Sequence, residues 1–146
     1  MYVMQNCATN EQGHMTMAGC DLTDIARKYG TPAYVMDEAA IRERCRMYRD
    51  SMNQAFGNRA MPLYASKAFC TLSMCRLITE EGLGLDVASG GELYTAIKAN
   101  FPMERVVMHS NYKTATELQL AIQNNVGRVI LDNFEELEQL NELAGK

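Results

Sequence analysis

From residue 61 onward the apolar positions keep two rhythms in turn. Short, mainly apolar runs at 62–66, 84–88, 105–109 and 128–131 read as strands, the first with side chains alternating between two faces. Runs with helical spacing follow each of them, at 71–81, 90–99, 115–124 and 134–143. Strand starts near 62, 84, 106 and 128 recur every 22 residues, so this part of the chain is a repeat of four strand–helix units. Connections this short demand parallel neighbours joined by right-handed crossovers. Helix starts are marked by Ser89-Gly-Gly-Glu92, Thr114-Ala-Thr-Glu117 and Asn133-Phe-Glu-Glu136, which have the form of capping boxes.

The first sixty residues have a different texture. Asn10-Glu11-Gln12-Gly13 is expected to turn between strands at 2–8 and 14–18, with His14 a surface strand residue that has no partner in view. Asp21 caps a short helix whose Leu22, Ile25, Ala26 and Tyr29 share one face, and Gly30 ends it. A strand is expected at 33–36. Asp37 then caps a long helix over 38–56, with Ile41, Cys45, Tyr48 and Met52 in a stripe.

Four βα units fit either a small doubly wound sheet or the first half of a (β/α)8 barrel. A complete barrel needs roughly 250 residues. No Gly-x-Gly-x-x-Gly turn follows the first strand of the repeat, which favours the barrel half.

Composition narrows the function classes. The chain has 146 residues, 47% of them hydrophobic and 22% charged, with a formal charge of −4. That suits a soluble globular protein, argues against a nucleic-acid surface, and leaves no apolar run of membrane-spanning length. No signal peptide is visible at the start. The five cysteines form no C-x-x-C pair, so free thiols in a reducing cytoplasm fit better than a disulfide framework or a zinc site. Cytoplasmic location and the absence of a bound metal are the expectations.

In either architecture ligands bind at the carboxyl ends of the strands. Those ends deliver Lys67, then Asp86 with Ser89, then His109 with Asn111, then Asp132. Lys67 stands among apolar or small residues in Tyr64-Ala-Ser-Lys-Ala-Phe69. A lysine confined there would lose hydration, which lowers its pKa and frees the amine for carbonyl chemistry. Asp86, inside an apolar strand, needs a partner, and Lys67 is available. The plainer alternatives are a strand whose last lysine reaches solvent and a Ser89–Glu92 pair that only caps a helix.

Longer stretches carry a resemblance. Tyr64-Ala-Ser-Lys-Ala-Phe69, Glu80-Glu-Gly-Leu-Gly-Leu-Asp-Val-Ala-Ser-Gly-Gly-Glu-Leu-Tyr94, Phe101-Pro and His109-Ser-Asn-Tyr-Lys-Thr114 resemble the N-terminal part of the diaminopimelate decarboxylase family. So does Tyr29-Gly-Thr-Pro-Ala-Tyr-Val-Met-Asp37. The resemblance implies pyridoxal 5'-phosphate (PLP) as cofactor and the first half of an alanine-racemase-like barrel over 38–146. Residues 1–37 would belong to a β-rich domain. It implies that Lys67 binds PLP covalently, with Asp86, Ser89, Glu92, His109 and Asn111 on the cofactor side. Ser110 and Tyr112 stand where Gly and Asn are usual in the family, and Phe69 where Asn is frequent. The implied reaction is decarboxylation of meso-2,6-diaminopimelate to L-lysine. The rivals are a sister decarboxylase of arginine, ornithine or a carboxylated polyamine, and a non-catalytic PLP-binding module. The family's glycine-rich phosphate loop and substrate-site cysteine have no counterpart here, so the chain is expected to be an N-terminal fragment, inactive alone. Open strand edges imply self-association or a homodimer.

Overall fold

A computed structural model describes residues 6–145. The chain divides into two compact units, 1–44 and 45–146.

The first unit holds a three-stranded antiparallel sheet of β1 (Cys7–Thr9), β2 (Met15–Met17) and β3 (Cys20–Asp21), in that order. Helix α1 (Leu22–Tyr29) follows directly. The expected strand at 2–8 is seen only as Cys7–Thr9, and residues 2–5 lie outside the described residues. His14 does have a partner: its Nδ1 is 2.8 Å from Asp21 Oδ2. That carboxylate also accepts from Asn10 Nδ2 at 2.8 Å and from the Thr23 backbone N–H at 2.7 Å. These contacts, His14 foremost, hold the Asp21 carboxyl down at about 2. The turn, β2 and the start of α1 are thus tied through one side chain. Sequence spacing could not show this, because the pair meets only when the hairpin closes.

The strand expected at 33–36 is absent; this stretch joins no ladder, and Tyr34 is almost fully exposed. An apolar run becomes a strand only where another strand meets it, and none does among the described residues. Helix α2 (Glu38–Phe56) follows with the bounds its pattern predicts.

The second unit is the repeat. Strands β4 (Leu63–Ala65), β5 (Gly84–Val87), β6 (Val106–His109) and β7 (Arg128–Ile130) alternate with α3 (Leu72–Glu80), α4 (Gly90–Lys98), α5 (Ala115–Gln123) and α6 (Phe134–Ala144). The sheet order is β4-β5-β6-β7, parallel throughout. A doubly wound sheet would reverse its order at a switch point. This one does not, and it takes the form of part of a (β/α)8 barrel.

Register explains the two faces of the sheet. Tyr64, Leu85 and Val106 share one row, and Val87, Met108 and Val129 another. Leu85, Val87, Val106 and Met108 are each 0% exposed, as are Ile78 of α3, Leu93 of α4 and Leu118 of α5. That face and the helices make the core. Because side chains alternate along a strand, the other face takes Leu63 and Ala65, then Asp86, Val107 and His109, then Arg128 and Ile130. Leu63 and Ile130 remain about two-fifths exposed, and Arg128 and His109 are exposed.

The helix starts are secured as the boxes predict, with one variation. Thr114 and Glu117 satisfy each other's backbone groups. Ser89 and Asn133 accept from the N–H of Glu92 and Glu136. The two glutamates, however, reach one residue further back, to the N–H of Ala88 and of Asp132.

Candidate active site

Lys67 follows β4 in a 3-10 turn, Ser66–Ala68, held at both ends. Ser66, 1% exposed, donates its Oγ–H to Asp86 O at 2.8 Å. Tyr64 OH donates to Phe69 O at 3.0 Å and closes the turn around Lys67. The sequence pattern marks Tyr64 and Ser66 only as strand positions, and their anchoring role appears with the fold.

Lys67 itself is exposed, not confined as its apolar neighbours suggest. The turn breaks the alternation of the strand. Ser66 bonds to β5, and Lys67 at the rim stays exposed. Nor does Lys67, the partner available to Asp86 in the sequence, pair with it. Asp86 Oδ1 is buried and has no hydrogen-bond partner.

The remaining predicted residues fall in two groups. His109 ends β6 and is exposed at the same carboxyl edge as Lys67, with exposed Asn111 on the loop beyond it. Ser89 and Glu92 hold the junction of β5 and α4, as the capping interpretation requires. A second glutamate reinforces that junction. Glu117 accepts from Gly90 N–H at 2.7 Å and from Thr114 N–H at 2.9 Å. These bonds, the Thr114 backbone first, hold its carboxyl below the usual range. A Cβ at Gly90 would lie 2.9 Å from Glu117 Cγ, so only glycine leaves room for this brace. Behind the rim, burial pushes the Cys75 thiol up to about 12 and raises that of Cys70, which makes both poor nucleophiles.

An amine, an unpartnered carboxylate and an imidazole therefore share one edge of one sheet. The orphaned oxygen is costly. A buried acceptor without a partner loses its hydration and gains nothing in return, about 1–3 kcal/mol. Asp86→Ala is accordingly expected to stabilise the ligand-free chain by about 1 kcal/mol or more, read by urea unfolding. A destabilised Asp86→Ala would show that the carboxylate already has its partner.

Four parallel βα units with ionisable groups at the strands' carboxyl edge define part of a (β/α)8-barrel domain with a candidate ligand site on that edge. The comparisons with known proteins make that class specific. A family model described as "Pyridoxal-dependent decarboxylase, pyridoxal binding domain" matches residues 38–146, and the chain belongs to that family. Diaminopimelate decarboxylase of Bacillus methanolicus is 44% identical over 146 residues, covering 100% of this chain and 34% of that protein. The enzyme of Bacillus subtilis (strain 168) is 45% identical over 144 residues, 99% of this chain and 33% of the relative. Diaminopimelate decarboxylase from M. jannaschii, solved in complex with L-lysine, superposes with a TM-score of 0.84 at 32% identity, covering 97% of this chain and 33% of that one. The chain thus spans about one third of the length of the curated relatives it matches.

Proposed function

We propose that this chain is the lysine-bearing part of a PLP-dependent decarboxylase that converts meso-2,6-diaminopimelate to L-lysine and CO2. The observation behind this reading is Asp86 Oδ1, buried without a partner on a strand adjacent to the one that presents Lys67. Ligand polar groups placed at that edge would satisfy it.

The donor set suits PLP. Lys67 would hold the cofactor covalently through Nζ, and its exposure leaves that nitrogen open to an aldehyde. Asp86 and His109 would flank the cofactor, with Asn111 at its outer side. Ser89 and Glu92 would act through the end of β5, fixing the height of Asp86. Bound there, PLP supplies the electron sink for the bond that breaks. The chain's own contribution is to present one amine on a clamped turn and to keep a carboxylate and an imidazole beside it.

The substrate follows from the relatives' names and from the lysine held in the M. jannaschii structure. Among the described residues no helix is long and apolar enough to cross a membrane. A cytoplasmic enzyme fits the free thiols of Cys20, Cys70 and Cys75. Residues 1–37 would serve a β-rich domain and 38–146 the barrel. β4 and β7 end the sheet, and their unpaired backbone groups favour a homodimer or self-association.

CO2 release tests the substrate. Because the chain alone is expected to be inactive, it is joined to the remaining two thirds of a relative's length, supplied with PLP, and given meso-diaminopimelate, L-ornithine, L-arginine and a carboxylated polyamine in separate assays. Release from diaminopimelate alone is expected. Release from one of the others would assign a sister decarboxylase, and PLP binding without release from any would mark a non-catalytic module.

A further inference from the structure

The loop after β6, His109-Ser110-Asn111-Tyr112-Lys113, runs along the candidate rim and rests on a buried ion pair. Lys113 Nζ is 2.9 Å from Glu136 Oε2, and the side chains are 0% and 4% exposed. Nζ also donates to Ser110 O at 2.8 Å. Glu136 Oε2 in turn accepts from the Asp132 N–H at 3.0 Å. One nitrogen and one oxygen therefore join the carboxyl end of β6 to that of β7.

Stability alone does not ask for such a pair. Well-packed apolar residues of similar volume serve as well or better. What an apolar contact cannot supply is direction. Nζ grips the carbonyl of Ser110, the residue between His109 and Asn111, while its carboxylate partner is fixed to the start of α6. Ser110 adds a local brace, donating its Oγ–H to Tyr112 O at 3.0 Å. The exposed His109 and Asn111 are held from beneath, by groups that solvent does not reach.

We propose that Lys113 and Glu136 are positioning residues that set His109 and Asn111 against the cofactor. Neither touches the cofactor. Both act through the Ser110 carbonyl and the Asp132 N–H. The inference rests on the assignment of Lys67, Asp86 and His109 to a PLP site.

The test compares Lys113→Met, Glu136→Leu and the double variant in the full chain. Each single variant strands one charge and is expected to melt earlier; the double variant removes both and is expected to regain the wild-type Tm. PLP capture at Lys67, trapped by borohydride, is nevertheless expected to stay about tenfold or more below wild type in the double variant, because the loop has lost its hold. A second readout needs no cofactor. The chain has two histidines, so their imidazole NMR signals are easily told apart. The His109 signal is expected to move in the double variant and that of His14 to stay. A double variant with wild-type stability, wild-type capture and an unmoved His109 signal would reduce the pair to a packing contact and overturn the proposal. Should it not fold, Lys113→Gln with Glu136→Gln takes its place, since the shorter amide cannot reach Ser110 O. Should the wild-type chain capture no PLP at Lys67, the cofactor assignment falls, and the His109 signal alone decides for or against the latch.

Discussion

In the protein completed to its relatives' length, Lys67→Ala is expected to abolish both PLP capture and decarboxylation, while the chain itself keeps its stability to within about 0.5 kcal/mol. The combination follows from where the residue sits. Lys67 is exposed on a 3-10 turn, and that turn is held by Ser66 and Tyr64, not by Lys67. Removing its side chain leaves every one of those contacts in place. Among the described residues of the second unit no other lysine can replace it. Lys113 is locked against Glu136, and Lys98 lies at the end of α4, away from the carboxyl edge. Lys67→Arg is expected to be equally inactive, since a guanidinium keeps its charge and does not release a proton to become a nucleophile. Thermal melting beside the CO2 assay checks both halves of the expectation. Residual activity in Lys67→Ala would move the covalent site elsewhere; a collapsed Tm would give Lys67 a structural role.

Gly127→Ala is expected to do the reverse, damaging the fold and through it everything else. A Cβ at Gly127 would stand 2.1 Å from the carbonyl oxygen of Glu104 and 2.7 Å from its carbonyl carbon. Both are backbone atoms, so no side chain can swing aside. The contact is also fastened, because Gly127 N–H donates to Met103 O at 2.8 Å. The 3-10 turn Met103–Arg105 and the entry to β7 must therefore separate, just where β6 and β7 begin their pairing. A cost of about 3 kcal/mol is expected, a fall in Tm of roughly 6–12 °C. Gly91→Ala is the control. Its Cβ would come no closer than 3.9 Å to Ser89 Oγ, and alanine suits a helix better than glycine. Equal melting temperatures for the two variants would show that the approach at Gly127 is not a tight one.

These two residues mark what a sequence yields and what it withholds. Features repeated at short range were legible: the 22-residue period, the caps at Ser89, Thr114 and Asn133, and the order of polar strand ends that brings Lys67, Asp86 and His109 to one edge. Features that depend on where distant segments meet were not. The stretch at 33–36 has the composition of a strand but no ladder. His14 finds Asp21 only once the hairpin has closed. Lys67 has apolar neighbours in sequence yet faces outward, because its chain turns at Ser66. Glu136 reads as a helix cap, and it is one, but its buried partner Lys113 comes from the preceding unit. The clash that reserves position 127 for glycine lies across 23 residues of chain and has no local signature.

Borohydride trapping followed by peptide mapping addresses the site most directly. The chain is incubated with PLP, reduced, digested and read by mass spectrometry, so that even brief attachment to a lysine is recorded. The label is expected on the peptide carrying Lys67, far above Lys28 and Lys98, and it should weaken when Asp86 is replaced by alanine. Label spread evenly over the exposed lysines, indifferent to Asp86, would contradict the assignment of this edge as a cofactor site.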